Sequence, residues 1–145
     1  MYLTEEECII TTILGSCISV CLWDPSSKIG GMNHYLLPLW NGSGLQTPRY
    51  GNIAIPKLIK KITDLGCKKS SLRAKVFGGA DMLFSSKNGD MSIGTRNIIL
   101  AEDMLEAENI PVISNDVGGN CGRKIEFNTK TGVVMLRRFK TKVGI

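Results

Sequence analysis

Residues 17–37 constrain the fold of this chain more than any other stretch, because they predict two strands joined by a short turn. Apolar residues alternate with small or polar ones over residues 18–22, the period of a strand with one face in a core. The run Asp24-Pro25-Ser26-Ser27 is a typical turn sequence, and residues 28–37 can return antiparallel. We therefore predict a β-hairpin whose core face carries Ile18, Val20 and Leu22.

The same hairpin would bring the only histidine of the chain close to a cysteine. If the turn centres between Pro25 and Ser26, Cys17 lies directly opposite His34. Directly opposed side chains have Cβ atoms roughly 4.5–5.5 Å apart, which suits a thiol–imidazole contact. The pattern predicts a thiol nucleophile with its own base, unless a bulge at Gly30-Gly31 shifts the register.

Cys21 is the natural comparison for Cys17, because both belong to the second face of the first strand, which leaves room for a substrate or a covering loop. In the predicted register Cys21 lies two pleats farther from His34. Gly15 gives flexible backbone before Cys17, so the N–H groups of Ser16 and Cys17 are candidate donors to an oxyanion. A single cysteine or histidine is more often structural than catalytic. Their combination, with glycine on both sides, favours catalysis.

Length and composition limit the classes of protein to consider. A chain of 145 residues fits one domain, so a single domain over 1–145 is predicted. No apolar stretch is long enough to cross a bilayer, and the N-terminal residues lack the pattern of a secretory signal, so we expect a cytoplasmic location. The five cysteines are odd in number and form no Cys-x-x-Cys pair, which favours reduced thiols over disulfides or a zinc site.

Neither the basic residues nor the glycine pairs indicate a separate function. The net charge of +5 comes from lysines around one predicted helix and from a basic end without interleaved aromatic residues. Nucleic-acid binding is therefore not expected, while an acidic protein partner stays open. The glycine pairs at 78–79 and 118–119 lack the lysine of a P-loop. Residues 115–120 lack the acidic spacing of a calcium loop, so neither a metal nor an organic cofactor is predicted.

Beyond the first hairpin, the sequence predicts helices alternating with strands and a second hairpin. In chain order the expected elements are a loop at 41–48, a helix from between Gly51 and Pro56 to Gly66, a strand at 72–77, a helix at 93–108, a short buried strand at 110–114, and a hairpin of 124–127 with 133–139. Together these elements predict an α+β fold with a mixed β-sheet core, hairpins and two main helices.

Several short motifs, in order over almost the whole chain, resemble the CheD family of chemoreceptor glutamine deamidases. They are Leu14-Gly15-Ser16-Cys17, Gly30-Gly31-Met32-Asn33-His34 with Leu37-Pro38, Arg49-Tyr50-Gly51, Lys75-Val76-Phe77-Gly78-Gly79-Ala80, Ile93-Gly94 with Arg96-Asn97, and Asp116 with Gly118-Gly119 and Arg123. The resemblance implies cofactor-free hydrolysis of selected chemoreceptor glutamines to glutamate. It also implies the cysteine-hydrolase fold of the glutamine-deamidating bacterial toxins.

The resemblance further implies a catalytic cysteine, histidine and threonine, which correspond to Cys17, His34 and Thr11. Thr12 adjoins Thr11, and chemistry alone would allow either hydroxyl to orient the imidazole, but the family pattern favours Thr11. The expected mechanism is thiolate attack on the glutamine side chain, release of ammonia, and hydrolysis of a γ-glutamyl thioester by water that His34 activates.

The partners that the resemblance implies are the cytoplasmic domains of chemoreceptors as substrate and a CheC-type phosphatase, which engages the deamidase near its active site. Two alternatives stay open at this point. In one, the chain is a regulatory binding module that acts on a CheC-type phosphatase with little deamidase activity. In the other, an amine intercepts the thioester and the chain is a transglutaminase. Neither nucleic acid nor membrane insertion is expected.

Overall fold

Residues 1–81 and 91–140, which the computed structural model describes, form two α-helices and two β-sheets. The strands are β1 (Tyr2–Thr4), β2 (Ile9–Leu14), β3 (Ile18–Asp24), β4 (Ile29–Met32), β5 (Arg73–Gly78), β6 (Val112–Val117), β7 (Gly122–Asn128) and β8 (Val134–Phe139). The helices are α1 (Gly51–Asp64) and α2 (Ile93–Ala107), and a short 3₁₀ helix at Lys69–Ser71 precedes β5.

The strands divide into a large mixed sheet and a small antiparallel sheet. The large sheet has the order β1-β4-β3-β5-β6, in which β5 and β6 run parallel and the other neighbours antiparallel. The small sheet has the order β2-β7-β8 and contains the second predicted hairpin, formed by β7 and β8. The α+β class with a mixed sheet is confirmed, and the small sheet is a further layer that the sequence analysis did not predict.

Apolar side chains pack on both faces of the large sheet. The helices cover one face, where they contact the predicted core residues Ile18, Val20 and Leu22. The small sheet covers the other face through two sets of buried side chains, Cys21, Met32 and Phe77 from the large sheet and Leu14, Ile125 and Phe127 from the small one. The face of β3 that was expected to leave room for a substrate is therefore covered over most of its length.

Both predicted helices form, each within a few residues of its expected bounds. α1 begins at Gly51, and α2 begins after Ser92, whose hydroxyl accepts a hydrogen bond from the Thr95 N–H at 3.2 Å. This N-cap satisfies one of the free N–H groups of the first helical turn. Within the described ranges, neither helix combines the length and the apolar character that a membrane span requires.

The first hairpin forms in a register that differs by two residues from the predicted one. Ile18 and Tyr35 exchange backbone hydrogen bonds of 3.1 and 2.9 Å, and the same register continues through Gly30-Gly31, where a bulge was considered. In this register Cys17 is not directly opposite His34. The two residues are diagonal neighbours on one face of the sheet, because a shift of two residues preserves the face.

The side chain of Asp24 explains this register. Its carboxylate accepts hydrogen bonds from the N–H groups of Ser26 and Ser27 at 2.8 and 3.3 Å and from the Ser27 hydroxyl at 2.8 Å. Such side-chain bonds to the following backbone stabilise turns. Because Asp24 pairs with Ile29, the turn centres between Ser26 and Ser27 rather than between Pro25 and Ser26.

The predicted short buried strand is wrong in its position and in its burial. β6 begins at Val112 rather than at Ile110, and it lies at the edge of the large sheet. Ile110 is buried, but Ile113 is 52% exposed. The apolar run suggested a buried strand, whereas an edge strand has a neighbour on one side only and leaves apolar side chains in solvent.

Candidate active site

Cys17 lies where the chain passes from the small sheet to the large one. β2 ends at Leu14 and β3 begins at Ile18, so Gly15, Ser16 and Cys17 form a short link, here called the cysteine loop. Cys17 is half-buried at the edge of the apolar layer between the sheets. The predicted nucleophile is thus only partly buried, although the layer that it contacts is well packed.

The three carbonyl groups of the cysteine loop are all held by hydrogen bonds. The first and third, those of Gly15 and Cys17, accept from the N–H groups of Ala80 and Gly79 at 3.0 and 2.8 Å. The middle one, that of Ser16, accepts from Nδ2 of Asn97 at 2.9 Å. Fixing every carbonyl of a loop also fixes the directions of its N–H groups, since each peptide unit is planar.

This close approach of two backbone segments requires glycine at position 78. Gly78 has a φ of +109°, and a Cβ at this position would overlap the carbonyl oxygen of Cys17. Gly78 therefore serves backbone packing against the cysteine loop, whereas a Cβ at Gly79 would overlap Ile98 of α2.

His34 follows β4 at a point where the strand ladder changes. The Val20 N–H donates to Oδ1 of Asn33 at 3.0 Å, while the Asn33 N–H donates to the Val20 carbonyl at 3.1 Å. A side-chain oxygen thus takes the position that a backbone carbonyl has in a regular ladder. Regular pairing of β4 ends at Met32, and His34 lies half-buried beyond that end.

Thr12, and not Thr11, contacts the imidazole. Oγ1 of Thr12 forms a hydrogen bond of 2.8 Å with Nδ1 of His34. Side chains alternate along β2, so Thr12 shares the inward face with Leu14, while Thr11 lies on the exposed outer face. The structure thus places Thr12 against the imidazole, whereas the family pattern favours Thr11. The contact leaves Nε2 as the ring nitrogen that can face a thiol.

The structure brings Cys17 and His34 to one face without a hydrogen bond between them among the described residues. Diagonal neighbours in a sheet are about 7–8 Å apart, a separation that an imidazole and a thiol can bridge. Catalytic hydrogen bonds are often long in the absence of substrate and shorten when it binds.

Burial favours the uncharged form of both Cys17 and His34. It raises the pKa of the Cys17 thiol above its ordinary value, and the N–H of the same residue opposes this rise. Burial also lowers the pKa of His34. Both shifts favour a thiol and an imidazole over a thiolate and an imidazolium.

The N–H groups of Ser16 and Cys17 are available to a ligand. Within residues 1–81 and 91–140 neither donates to a carbonyl. The N–H of Cys17 opposes the rise that burial causes in the pKa of the thiol of the same residue, so it favours negative charge on that sulfur. These two N–H groups are therefore the candidate donors to a tetrahedral oxyanion. No three His, Cys, Asp or Glu side chains in these ranges converge to hold a metal ion.

Arg123 is a buried charged residue that the motif analysis named without a role. Its Nε donates to Asp116 at 2.7 Å, and Nη2 and Nη1 donate to the carbonyls of Gly118 and Gly78 at 2.7 and 3.3 Å. Arg138 also bonds to Asp116. Burial alone would raise the pKa of Asp116, but the two guanidinium groups hold it below its ordinary value. The two glycine pairs are thus tied together behind the cysteine loop.

Comparison with known proteins gives one consistent result. Residues 36–138 match the family described as CheD chemotactic sensory transduction. The chain is 53% identical to a probable chemoreceptor glutamine deamidase CheD of Trichlorobacter lovleyi, over 96% of this chain and 86% of that protein. A protein of the same name from Rhodospirillum rubrum is 41% identical over 100% of this chain and 81% of its own length, a match that includes the segments with Cys17 and His34.

Proposed function

The chain belongs to the CheD family, and we therefore propose that it is a chemoreceptor glutamine deamidase. It hydrolyses glutamine side chains of chemoreceptors to glutamate and releases ammonia. The observation that carries the proposal for its mechanism is the position of Cys17, which lies in a fixed loop on the same face as His34. A threonine hydroxyl holds the other side of the imidazole.

The first half of the reaction forms a thioester. With a proton on Nδ1, His34 donates to the Thr12 oxygen, and Nε2 carries the lone pair that removes the Cys17 proton. The sulfur attacks Cδ of the glutamine, and the carbonyl electrons move to the oxygen, where the N–H groups of Ser16 and Cys17 stabilise the charge. The imidazolium then protonates the amide nitrogen, and the C–N bond breaks as ammonia leaves.

The second half regenerates the thiol. Water loses a proton to Nε2 of His34 and attacks the thioester carbonyl. The C–S bond breaks, glutamate is released, and the sulfur recovers the proton from the imidazolium. Because burial favours the uncharged form of both groups, His34 must accept the thiol proton as the sulfur attacks, and its lowered pKa keeps it in the required basic form.

Thr12 has a supporting role in this mechanism. A hydroxyl can accept the Nδ1–H bond and fix the ring orientation, but it stabilises an imidazolium less than a carboxylate does. The site is therefore better suited to a base that is charged only transiently.

The partners follow from the substrate. The chemoreceptor cytoplasmic domain supplies the glutamines, so the protein acts in the cytoplasm. A CheC-type phosphatase that binds near Cys17 is the second proposed partner, and this proposal rests on the resemblance of the motifs alone.

Mass spectrometry of a purified chemoreceptor cytoplasmic domain tests the proposal. Incubation with the protein should convert specific glutamines to glutamate, each with a mass increase of about one dalton, and should release ammonia. Cys17→Ala should abolish the conversion, whereas Cys21→Ala, on the same face of β3, should retain it.

The controls separate the remaining interpretations. A labelled primary amine added to the reaction should not be incorporated, because incorporation would identify a transglutaminase. Wild-type protein that converts no glutamine on its matched receptors, yet still changes the activity of a CheC-type phosphatase, would refute the deamidase and favour a regulatory module.

A further inference from the structure

We propose that Asn97 is a positioning residue of the active site, which fixes the direction of the Cys17 N–H. This inference rests on the proposed function, because it takes Cys17 as the nucleophile. Asn97 belongs to α2, on the helix side of the large sheet, and its side chain is fully buried. It acts on the reaction through the backbone of the cysteine loop.

The side-chain amide of Asn97 joins the two segments that carry the reacting groups. Nδ2 donates to the carbonyl of Ser16 at 2.9 Å and to the carbonyl of Leu36 at 3.0 Å. Ser16 directly precedes Cys17, and Leu36 lies two residues after His34. Both hydrogens of one amide group are thus used to hold the nucleophile segment against the base segment.

Planarity of the peptide bond turns the first of these contacts into control of an N–H direction. The Ser16 carbonyl and the Cys17 N–H belong to one trans peptide unit, in which the two groups point in opposite directions. Because Asn97 draws the carbonyl towards α2, the N–H is directed away from the helix. That N–H favours negative charge on the Cys17 sulfur, and the proposed oxyanion is the oxygen of the substrate carbon that this sulfur attacks.

The side-chain oxygen of Asn97 indicates that the Nδ2 donor is the functional part of the amide. Oδ1 of Asn97 is buried and has no hydrogen-bond partner among the described residues. A buried acceptor without a partner destabilises the fold, so stability alone does not explain an asparagine here.

Two substitutions of Asn97 test the role in catalysis. Asn97→Ala removes the donor, and Asn97→Asp retains the shape but places a second acceptor beside two carbonyls. For each we expect kcat to fall at least about tenfold, below the effect of deleting an oxyanion donor outright, with KM changed less than about twofold. The pH at which Cys17 becomes reactive to iodoacetamide should also shift upwards, since the N–H that lowers its pKa is no longer held.

Tyr35→Phe is the matched structural control. It removes a buried hydrogen bond to the same residue of α2 but leaves the Asn97 amide on both carbonyls. We expect it to lower the melting temperature and to leave kcat and the iodoacetamide profile of Cys17 within about twofold of wild type.

Either of two results would overturn the proposal. One is a folded Asn97→Ala or Asn97→Asp protein whose kcat and Cys17 reactivity equal those of wild type. The other is a Tyr35→Phe protein that loses as much kcat at an equal loss of stability. If wild-type protein shows no deamidation, the proposed function fails, and the pH profile of Cys17 alkylation still decides the role of Asn97.

Discussion

Two cysteines contact the apolar layer between the sheets, one in the middle of β3 and one in the link that precedes this strand, and their surroundings differ sharply. Cys21 is 1% exposed among Met32, Phe77, Ile125 and Phe127, and its backbone lies inside the ladders that β3 forms with β4 and β5. Cys17 is half-buried in a link between strands.

The difference teaches where in this fold a thiol can react. Burial raises the pKa of both cysteines, so a lowered pKa is not what distinguishes Cys17. Cys17 instead lies beside N–H groups without carbonyl partners in the described ranges, is only half-buried, and shares a face with an imidazole. The end of the strand provides these three features, and its interior provides none of them.

The largest expected contrast is in alkylation of the native protein. Iodoacetamide should modify Cys17 at least about a hundredfold faster than Cys21, because Cys21 is reached only through openings that expose the core. Timed alkylation followed by peptide mass spectrometry measures both rates in one sample.

The other cysteines and the unfolded chain provide the controls for this contrast. Cys8 and Cys121 are also half-buried, so they should react in the native state. In denaturant all five rates should converge. Equal native rates for Cys17 and Cys21 would contradict the packing described here.

The second prediction concerns the proposed base, His34. His34→Gln should lower kcat by about 10²–10⁴, the usual contribution of general acid–base catalysis, because no other histidine exists in the chain. Cys21→Ala, in the interior of β3, should leave kcat within about threefold of wild type. It should instead lower the melting temperature, because it creates a small cavity. A His34→Gln protein with more than a tenth of wild-type kcat would show that His34 is not the base.

The third prediction distinguishes two adjacent threonines. Thr12→Val removes the hydroxyl from Nδ1 of His34 and should lower kcat about fivefold to tenfold, the equivalent of one neutral hydrogen bond. Thr11→Val alters the exposed face of β2 and should have less than a twofold effect. Steady-state kinetics of both variants decide the question. A larger loss for Thr11→Val would favour the family-based assignment over the geometric one.

The sequence predicted the first hairpin and both helices because their signals are local. Alternation over residues 18–22 and the Asp24 turn are readable without knowledge of distant segments. The register required the side-chain bonds of Asp24, which lengthen the turn. The prediction that Cys17 and His34 share one face survived this error, because the shift was by an even number of residues, although the two are diagonal rather than directly opposite.

The features that the sequence did not predict depend on contacts between distant segments. One of them is β2, which was not identified as a strand because an apolar run with two threonines has no clear period. The faces of β2 therefore stayed unknown. That gap is why Thr11 and Thr12 could not be separated by chemistry. Asn97 and Arg123 contact the site from 81 and 45 residues away in the chain, to Ser16 and Gly78 respectively, and no local pattern reveals such contacts.

The smallest expected effect concerns the pH dependence of the two reacting groups. Burial disfavours imidazolium, so the acid limb of kcat/KM should lie below the ordinary pKa of histidine, about 6.5. Because burial also favours the neutral Cys17 thiol, activity should then stay level through about pH 8, where free cysteine begins to ionise.

A thiolate–imidazolium pair would behave differently. The alkylation rate of Cys17 would already reach its maximum at about pH 6, and activity would fall as the imidazolium lost its proton above about pH 8. Profiles of kcat/KM and of Cys17 alkylation, measured on the same preparation, distinguish the two states. Full reactivity of Cys17 towards alkylation already at about pH 6 would mean that the protein holds the charged pair despite burial.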